Sequence, residues 1–391
     1  MIVIHTIRWE SLVKLAYAHD GTSIYDALFL NELKERYDVY VLTFHPSPIH
    51  VPLGVKTIKM ADPIPETNLH PFEGMRKHLL TPVRTQILKK NLARIKPDVL
   101  IGCWASTYGF YSAYSNFHPF ILFVWGSDVL VFPKKYFPLK PFVVYSIRKA
   151  DVVIIDSEVQ KEATIKLGCE PQKIVEFPWV NLNGFEKNES QRRRIRTEFG
   201  WTDDDIVVAS LRNHKSIYGV GYLMEAIPQI LKRNNAMKFL ILGEGPLTKT
   251  FKAKVHKFIK SDQVKFVGAI PHENVADYLS VADIYVSTSF SDGTSASLLE
   301  AMACSLTPVV TEINGNKEWI QDGMNGLLVP PANHKSLTEK ILLLASDYEL
   351  RKSLQKKAEE TVRTRVNWQE NIERLMKIID KLVYQKTEAS S

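Results

Sequence analysis

Ser289-Phe290-Ser291-Asp292-Gly293-Thr294-Ser295-Ala296-Ser297-Leu298-Leu299-Glu300-Ala301-Met302-Ala303 decides how this chain of 391 residues is read. Before it, Ala282-Asp283-Ile284-Tyr285-Val286-Ser287 is short, apolar and bounded by polar residues, which predicts a buried strand. After it, residues 298–304 are an apolar run of strong helix formers. The link between them is Ser, Asp, Gly and Thr. A small polar loop leading from the carboxyl end of a strand into a helix is where open α/β sheets hold ligands. The amide hydrogens of the first helical turn have no partner within the helix. They favour an anion there, usually a phosphate.

Two carboxylates bracket the loop, Asp292 and Glu300, with seven residues between them. Each has a plain structural reading. Ser297-Leu298-Leu299-Glu300 fits a capping box, in which the Glu returns the hydrogen bond of the capping Ser. Asp292-Gly293 alone fits a turn. Their neighbours carry a resemblance. Asp292-x7-Glu300-Ala301-Met302-Ala303 is followed by Pro308-Val309-Val310, Gly315-Asn316-x-Glu318 and Asp322-Gly323-x-Asn325-Gly326-Leu327-Leu328-Val329-Pro330. Together these resemble the donor-site signature of family 4 glycosyltransferases of GT-B fold, densely over about fifty residues and thinly elsewhere. Asp292 stands where that family usually has Glu, and Ser305 where a Gly is common.

The resemblance implies an α/β fold of GT-B type. Two doubly wound Rossmann-like domains face a cleft, an acceptor-side domain over 1–180 and a donor-nucleotide domain over 181–366. A last helix, 367–391, crosses back to the first domain. It also implies a retaining sugar transfer from a nucleoside-diphosphate sugar, UDP type favoured, to a hydroxyl-bearing acceptor, as in polysaccharide biosynthesis. Arg212 and Lys215 are then expected on the diphosphate, although alignment sets Tyr218 at the second position. Amides of Gly293, Thr294, Ser295, Ser297 and Leu298 are expected beside them. Glu300 is expected on the ribose hydroxyls and Asp292 on the transferred sugar. Gly21 and Gly243 would allow close approach of the donor, and Ile270 lies in the segment that reads the base. Asp128 keeps the family's acid in Trp125-Gly126-Ser127-Asp128 and is expected on a sugar hydroxyl. Trp125 stands where the family often has a His facing the reacting sugar, so no catalytic His is assigned there. Arg, Lys and the helix end supply positive charge, so no metal and no cofactor beyond the donor is expected. Two rivals share this outline: a nucleotide-sugar hydrolase or epimerase of GT-B shape, and a non-catalytic GT-B partner subunit.

Composition narrows the classes. Apolar residues make up 45% of the chain, ample for two cores. No apolar run reaches the ~18 residues of a membrane span. The opening Met1-Ile2-Val3-Ile4-His5-Thr6 predicts a strand, not a secretion signal. The three cysteines lack metal spacing and suit a reducing cytosol. The net charge of +7 is compatible with anionic ligands or an anionic membrane. Residues 74–96 contain seven basic residues and no acid, with Leu, Ile and Val at helical spacing around Pro82. That pattern fits a peripheral contact with an anionic membrane, or else a solvated helix face. Phe132-Pro133-Lys134-Lys135-Tyr136-Phe137 adds a second basic and aromatic patch.

Elsewhere the order of strands and helices is that of βαβ units. Residues 10–22 read as the loop after the first strand, and 23–34 and 39–43 as the next helix and strand. Residues 181–196 read as a linker and a surface helix. Gln191-Arg192-Arg193-Arg194 lacks the interleaved aromatics of a nucleic-acid platform, so no nucleic acid is expected. Asp203-Asp204-Asp205 precedes a strand and reads as an exposed turn. Oligomeric state is left open.

Overall fold

The computed structural model describes residues 12–62, 81–260 and 262–390. The strand expected at Met1–Thr6 and residues 74–80 of the basic stretch lie outside them. The chain divides into two α/β units. The first takes in the chain up to Asp156, residues 160–177, and everything from Gln369 on; the second is 157–159 and 178–368.

The first unit is built on seven parallel strands: β1 (Lys14–Ala18), β2 (Asp38–Thr43), β3 (Lys56–Lys59), β4 (Val99–Cys103), β5 (Phe120–Phe123), β6 (Val152–Ile155) and β7 (Ile174–Glu176). Their order in the sheet is β3-β2-β1-β4-β5-β6-β7. β4 and β5 are buried at every position, as expected of parallel strands covered on both faces. β1 corrects the sequence reading, which gave residues 10–22 to a loop. Leu15 pairs with Val39 on one side and Val99 on the other, so this short run is a central strand. Five residues led by a Lys carry too little periodicity to announce that.

A helix over Trp368–Ser390 belongs to this unit. Ile372, Leu375, Ile379 and Val383 recur at three- and four-residue steps and are buried. The Tyr37 hydroxyl donates to Asp380 Oδ1 at 2.8 Å, and Lys386 Nζ donates to the Asp98 carbonyl at 3.0 Å. The described part of the basic stretch, Thr81–Ile95, is one helix with Pro82 in its first described turn. No helix among the described residues is long and apolar enough to cross a membrane.

The second unit has six parallel strands: β8 (Val207–Leu211), β9 (Lys238–Leu242), β10 (Val264–Gly268), β11 (Ile284–Ser287), β12 (Thr307–Thr311) and β13 (Leu327–Val329), ordered β10-β9-β8-β11-β12-β13. In each sheet the chain runs outward in both directions from one adjacent pair, β1/β4 in the first and β8/β11 in the second. Connections leave such a pair in opposite directions, and a crevice opens beyond its carboxyl ends.

The helix Glu189–Phe199 is not the plain surface helix expected. Arg192 and Arg196 lie one turn apart on its inner face, 8% and 1% exposed. They donate to the carbonyls of residues 280–282 and to both oxygens of Asp283, just before β11. Asp283 also accepts from the Val207 amide at 2.9 Å, so one acid ties together the starts of β8 and β11. Asp203 and Asp204 are exposed in a turn, as the sequence suggested.

Candidate active site

Arg212 follows the last residue of β8, and Asp292 lies in the loop after β11, so the two central strands of the second sheet deliver them to one crevice. Arg212 Nη2 donates to Asp292 Oδ2 at 2.5 Å. Its Nη1 donates to the hydroxyls of Ser295 and Ser297 at 2.9 and 3.0 Å. The Tyr218 ring lies 4.4 Å from the guanidinium carbon. The Tyr285 hydroxyl, from β11, is 2.8 Å from Ser297 Oγ and supports the arrangement from below. Burial works against the charge of Arg212. Asp292 outweighs it, with help from Tyr285 and Tyr218, and the guanidinium pKa is raised above its ordinary value.

Two consequences follow for chemistry. Ser295 is the residue before the helix Ala296–Ala303, the position whose side chain normally caps a helix. Its hydroxyl is drawn to Arg212, and no side chain caps that helix. The amide hydrogens of the first turn are left without a capping acceptor, next to a cation. Arg212 Nε is also buried with no hydrogen-bond partner. An unmade bond of this kind costs ~1–3 kcal/mol, which an incoming anion would recover.

Glu300 does not close a capping box. It is the fifth residue of a helix that begins at Ala296, too far along to reach back to the cap. Its Oε1 instead accepts from His272 Nε2 at 2.9 Å, and the His272 ring packs 5.4 Å from that of Phe185. The hydrogen bond to Glu300 raises the pKa of His272. The other carboxylate oxygen has no hydrogen bond among the described residues.

The backbone comes close at two glycines. Gly243 closes β9 at φ 93°, and a Cβ there would stand 2.5 Å from the Arg212 carbonyl oxygen. At Gly315 a Cβ would stand 2.3 Å from the carbonyl oxygen of Gly293, so the chain after β12 braces the loop that carries Asp292.

The remaining expected residues are dispersed. Thr294 Oγ1 accepts from Trp319 Nε1 at 3.4 Å. Leu298 is fully buried in the core, and its amide bonds the Ser295 carbonyl at 3.0 Å. Ile270 packs against the same core two residues before His272. Lys215 is exposed and outside the Arg212 cluster; the side chain on Arg212 is that of Tyr218. Gly21 lies in the first unit, at φ 67°, packed against Pro48. Asp128 corrects the expectation of a sugar contact. It is fully buried, and its two oxygens accept from the amides of Ala105 and Trp125 at 2.8 and 3.1 Å. It locks a turn beneath the surface. Burial pushes its carboxyl up to about 6 against those amides.

Sequence reasoning missed His272, Tyr285 and the bracing at Gly315. The His272–Glu300 pair spans 28 residues, and no local spacing rule joins a turn to a helix so far away. Among the described residues no group of three or more His, Cys, Asp or Glu side chains is placed to hold a metal ion.

An uncapped helix meets a buried arginine at the switch point of a doubly wound α/β sheet, the kind of helix end that favours an anion. Comparison with known proteins makes this specific. The family described as "Glycosyl transferases group 1" matches residues 191–361, and "Glycosyl transferase 4-like" matches 14–157. The chain belongs to the family 4 glycosyltransferases of GT-B fold.

The chain is 24% identical to alpha-D-kanosaminyltransferase of Streptomyces kanamyceticus, over 55% of this chain and 56% of that protein. It is 25% identical to N-acetyl-alpha-D-glucosaminyl L-malate synthase of Bacillus anthracis, over 57% of this chain and 58% of that one. These matches span little more than half the length of the curated relatives. Among solved structures, HepE from Anabaena in complex with UDP-glucose has a TM-score of 0.76 at 16% identity, over 94% of this chain and 100% of that one. At that identity the likeness speaks for the fold.

Proposed function

We propose that this chain transfers a sugar from a nucleoside-diphosphate sugar, of UDP type, to a hydroxyl-bearing acceptor with retention at the anomeric carbon. One observation carries the reading: Arg212, charged and with an unmade bond, stands beside an uncapped helix at the β8/β11 crevice. The complexes of HepE with UDP and with UDP-glucose support the choice of donor.

In this reading the diphosphate takes the place of Asp292 on Arg212. Guanidinium and amide hydrogens then offset the charge that grows on the leaving diphosphate. Asp292, released, accepts from hydroxyls of the transferred sugar. Glu300, steadied by His272, accepts from the ribose. The protein's part is positioning and charge stabilisation; the leaving phosphate itself takes the acceptor's proton. Polysaccharide assembly is a fitting setting for the product. Peripheral contact with an anionic membrane through residues 74–96 is part of the proposal, since Lys90, Arg94 and Lys96 are exposed on the described helix and its end. Co-sedimentation with anionic vesicles tests it, and absence of binding at low salt rejects it.

The decisive experiment pairs UDP binding, read as a rise in melting temperature, with sugar release or transfer from a panel of UDP-sugars. Binding that disappears in Arg212→Ala supports the site. Wild-type protein that ignores every UDP compound rejects it. Release of free sugar at the same rate with and without acceptors would favour the hydrolase reading.

A further inference from the structure

His214 stands two residues past Arg212, and its ring is fully buried. It lies edge-on to Phe251 and Phe266, with ring centroids 5.2 and 6.1 Å away and planes 70° and 83° apart. Its Nδ1 is 2.7 Å from Thr248 Oγ1. That hydroxyl also accepts from the Gly245 amide and donates to the Gly245 carbonyl, both at 2.9 Å. Its one hydrogen is thereby spent, so the hydrogen of the His214–Thr248 bond sits on Nδ1. Nε2 is left with a lone pair among the rings and has no hydrogen-bond partner among the described residues. The other tautomer would bury an N–H with no acceptor, an orphan that protein interiors rarely hold.

The backbone of His214 is clamped to the same neighbours. Its amide donates to the Glu244 carbonyl, and its carbonyl accepts from the Leu247 amide, each at 3.0 Å. A Cβ at Gly245 would stand 2.8 Å from the His214 carbonyl oxygen. With Gly243 already against the Arg212 carbonyl, the loop after β9 lies flush on the loop after β8, and the His214 ring bolts one to the other. Arg212 itself is held only by side chains of the crevice. When a diphosphate displaces Asp292, the guanidinium loses one of those anchors, and its loop must be held from behind. A neutral ring does this best. Burial lowers the His214 pKa from the ordinary 6.5; Glu244 works against that and Lys252 with it.

We propose that His214 is a positioning residue for the donor site: its ring, bonded to Thr248, fixes the loop that carries Arg212 and sets the guanidinium on the path of the diphosphate. The part played by the diphosphate rests on the donor reading above. The fixing of Arg212 by His214 does not.

The test uses full-length protein, with UDP as the probe. His214→Phe keeps a ring in the slot and removes the bond, whereas His214→Asn keeps a donor at the place of Nδ1. By isothermal titration at neutral pH, UDP should bind about tenfold more weakly to His214→Phe and within about twofold of wild type to His214→Asn. Thr248→Val and Thr248→Ser repeat the contrast from the other end of the bond, with weak binding to the first and near-normal binding to the second. They decide the matter even where His214→Phe does not fold. Arg212 is followed directly through its ¹⁵N-labelled Nε–H, assigned by Arg212→Lys. Hydrogen exchange there should be as slow in His214→Asn as in wild type and faster in His214→Phe and Thr248→Val. A pH series supplies a further readout. A base held neutral contributes fully above its unfolded pKa, so wild type should lose stability relative to His214→Asn as the pH falls below 6.5.

UDP affinity and Arg212 exchange that are both unchanged in Thr248→Val overturn the proposal. So does an equal loss of affinity in His214→Phe and His214→Asn, which would assign the effect to the ring's shape and not to its bond. Wild-type protein that ignores UDP, with Arg212 exchange still faster in Thr248→Val, sinks the donor reading and leaves the positioning of Arg212 standing.

Discussion

Arg196 and Arg212 belong to the same unit and are both nearly buried, 1% and 9% exposed, yet they do opposite things. Arg196 spends its donors on the carbonyls of Val281, Thr202 and Asp205 and on Asp283. Burial lowers its pKa, and every nitrogen still has a partner. Arg212 bonds three side chains that stand at a helix end, and its Nε bonds nothing. A buried cation with every hydrogen placed is scaffold. In the proposed reading, one held by displaceable partners at a helix end, with a bond unmade, receives a ligand. Residue type and burial do not separate the two; the accounting of hydrogens does.

The largest effect should come from the scaffold side. Arg196→Ala takes one of two arginines from Asp283 and the Val281 carbonyl and the guanidinium from the Thr202 and Asp205 carbonyls, and losing one partner of a buried pair typically costs up to ~3–5 kcal/mol. Urea denaturation should show that loss directly. A loss below ~1 kcal/mol would mean the network is solvated and the contrast with Arg212 is false.

Arg212→Ala should do the reverse. Removing a group that stabilises developing charge costs on the order of 10²–10³ in turnover. Stability should fall far less than in Arg196→Ala, because Asp292 lies in a loop with 17% of its side chain exposed and regains water. Arg212→Lys should not restore activity, since one ammonium cannot replace the fork that spans Asp292 and two serines. Kinetics with a UDP-sugar and a denaturation curve on the same preparation check both halves.

This contrast marks the limit of what the sequence made legible. The strand–loop–helix around Asp292 could be read directly because its pieces are contiguous: β11, the polar loop and the helix Ala296–Ala303 follow one another. The parallel sheet followed from the βαβ order of strands and helices, and the doubly wound form was what the family resemblance implied. β1 was lost because Leu15 to Ala18 is a central strand only by virtue of its two neighbours. Arg192 and Arg196 looked like a charged surface, since only the carbonyls of 280–282 reveal why they turn inward. Asp128 kept its family position and still could not be placed, because burial on backbone amides leaves no trace in local sequence. Local pattern therefore located the crevice, while partners distant along the chain decided which side chains are free to act there.

Glu300→Gln sharpens the comparison within the site. Gln can still accept from His272, so the fold should keep its melting temperature within a few degrees. A neutral amide is a poorer acceptor for ribose hydroxyls, and UDP should bind about tenfold more weakly, ~1.4 kcal/mol. Isothermal titration measures this, and an unchanged affinity would assign Glu300 to the scaffold with Arg196.

The smallest effect concerns His272, whose imidazole is the partner of Glu300. The hydrogen bond to Glu300 raises its folded-state pKa above the ordinary 6.5. A group raised in this way binds protons more tightly in the folded state. Its contribution is complete below the unfolded pKa and fades as pH climbs through the raised folded value. His272→Phe keeps a ring against Phe185 and removes the proton. The stability gap between wild type and His272→Phe should be widest below the ordinary histidine value of 6.5 and narrow as the pH rises above it. Denaturation curves for both proteins on either side of that value decide it. A gap that does not depend on pH would show that the imidazole holds Glu300 as a neutral spacer. Glu300 would then face the ribose with no charged partner behind it, unlike Asp292 with Arg212.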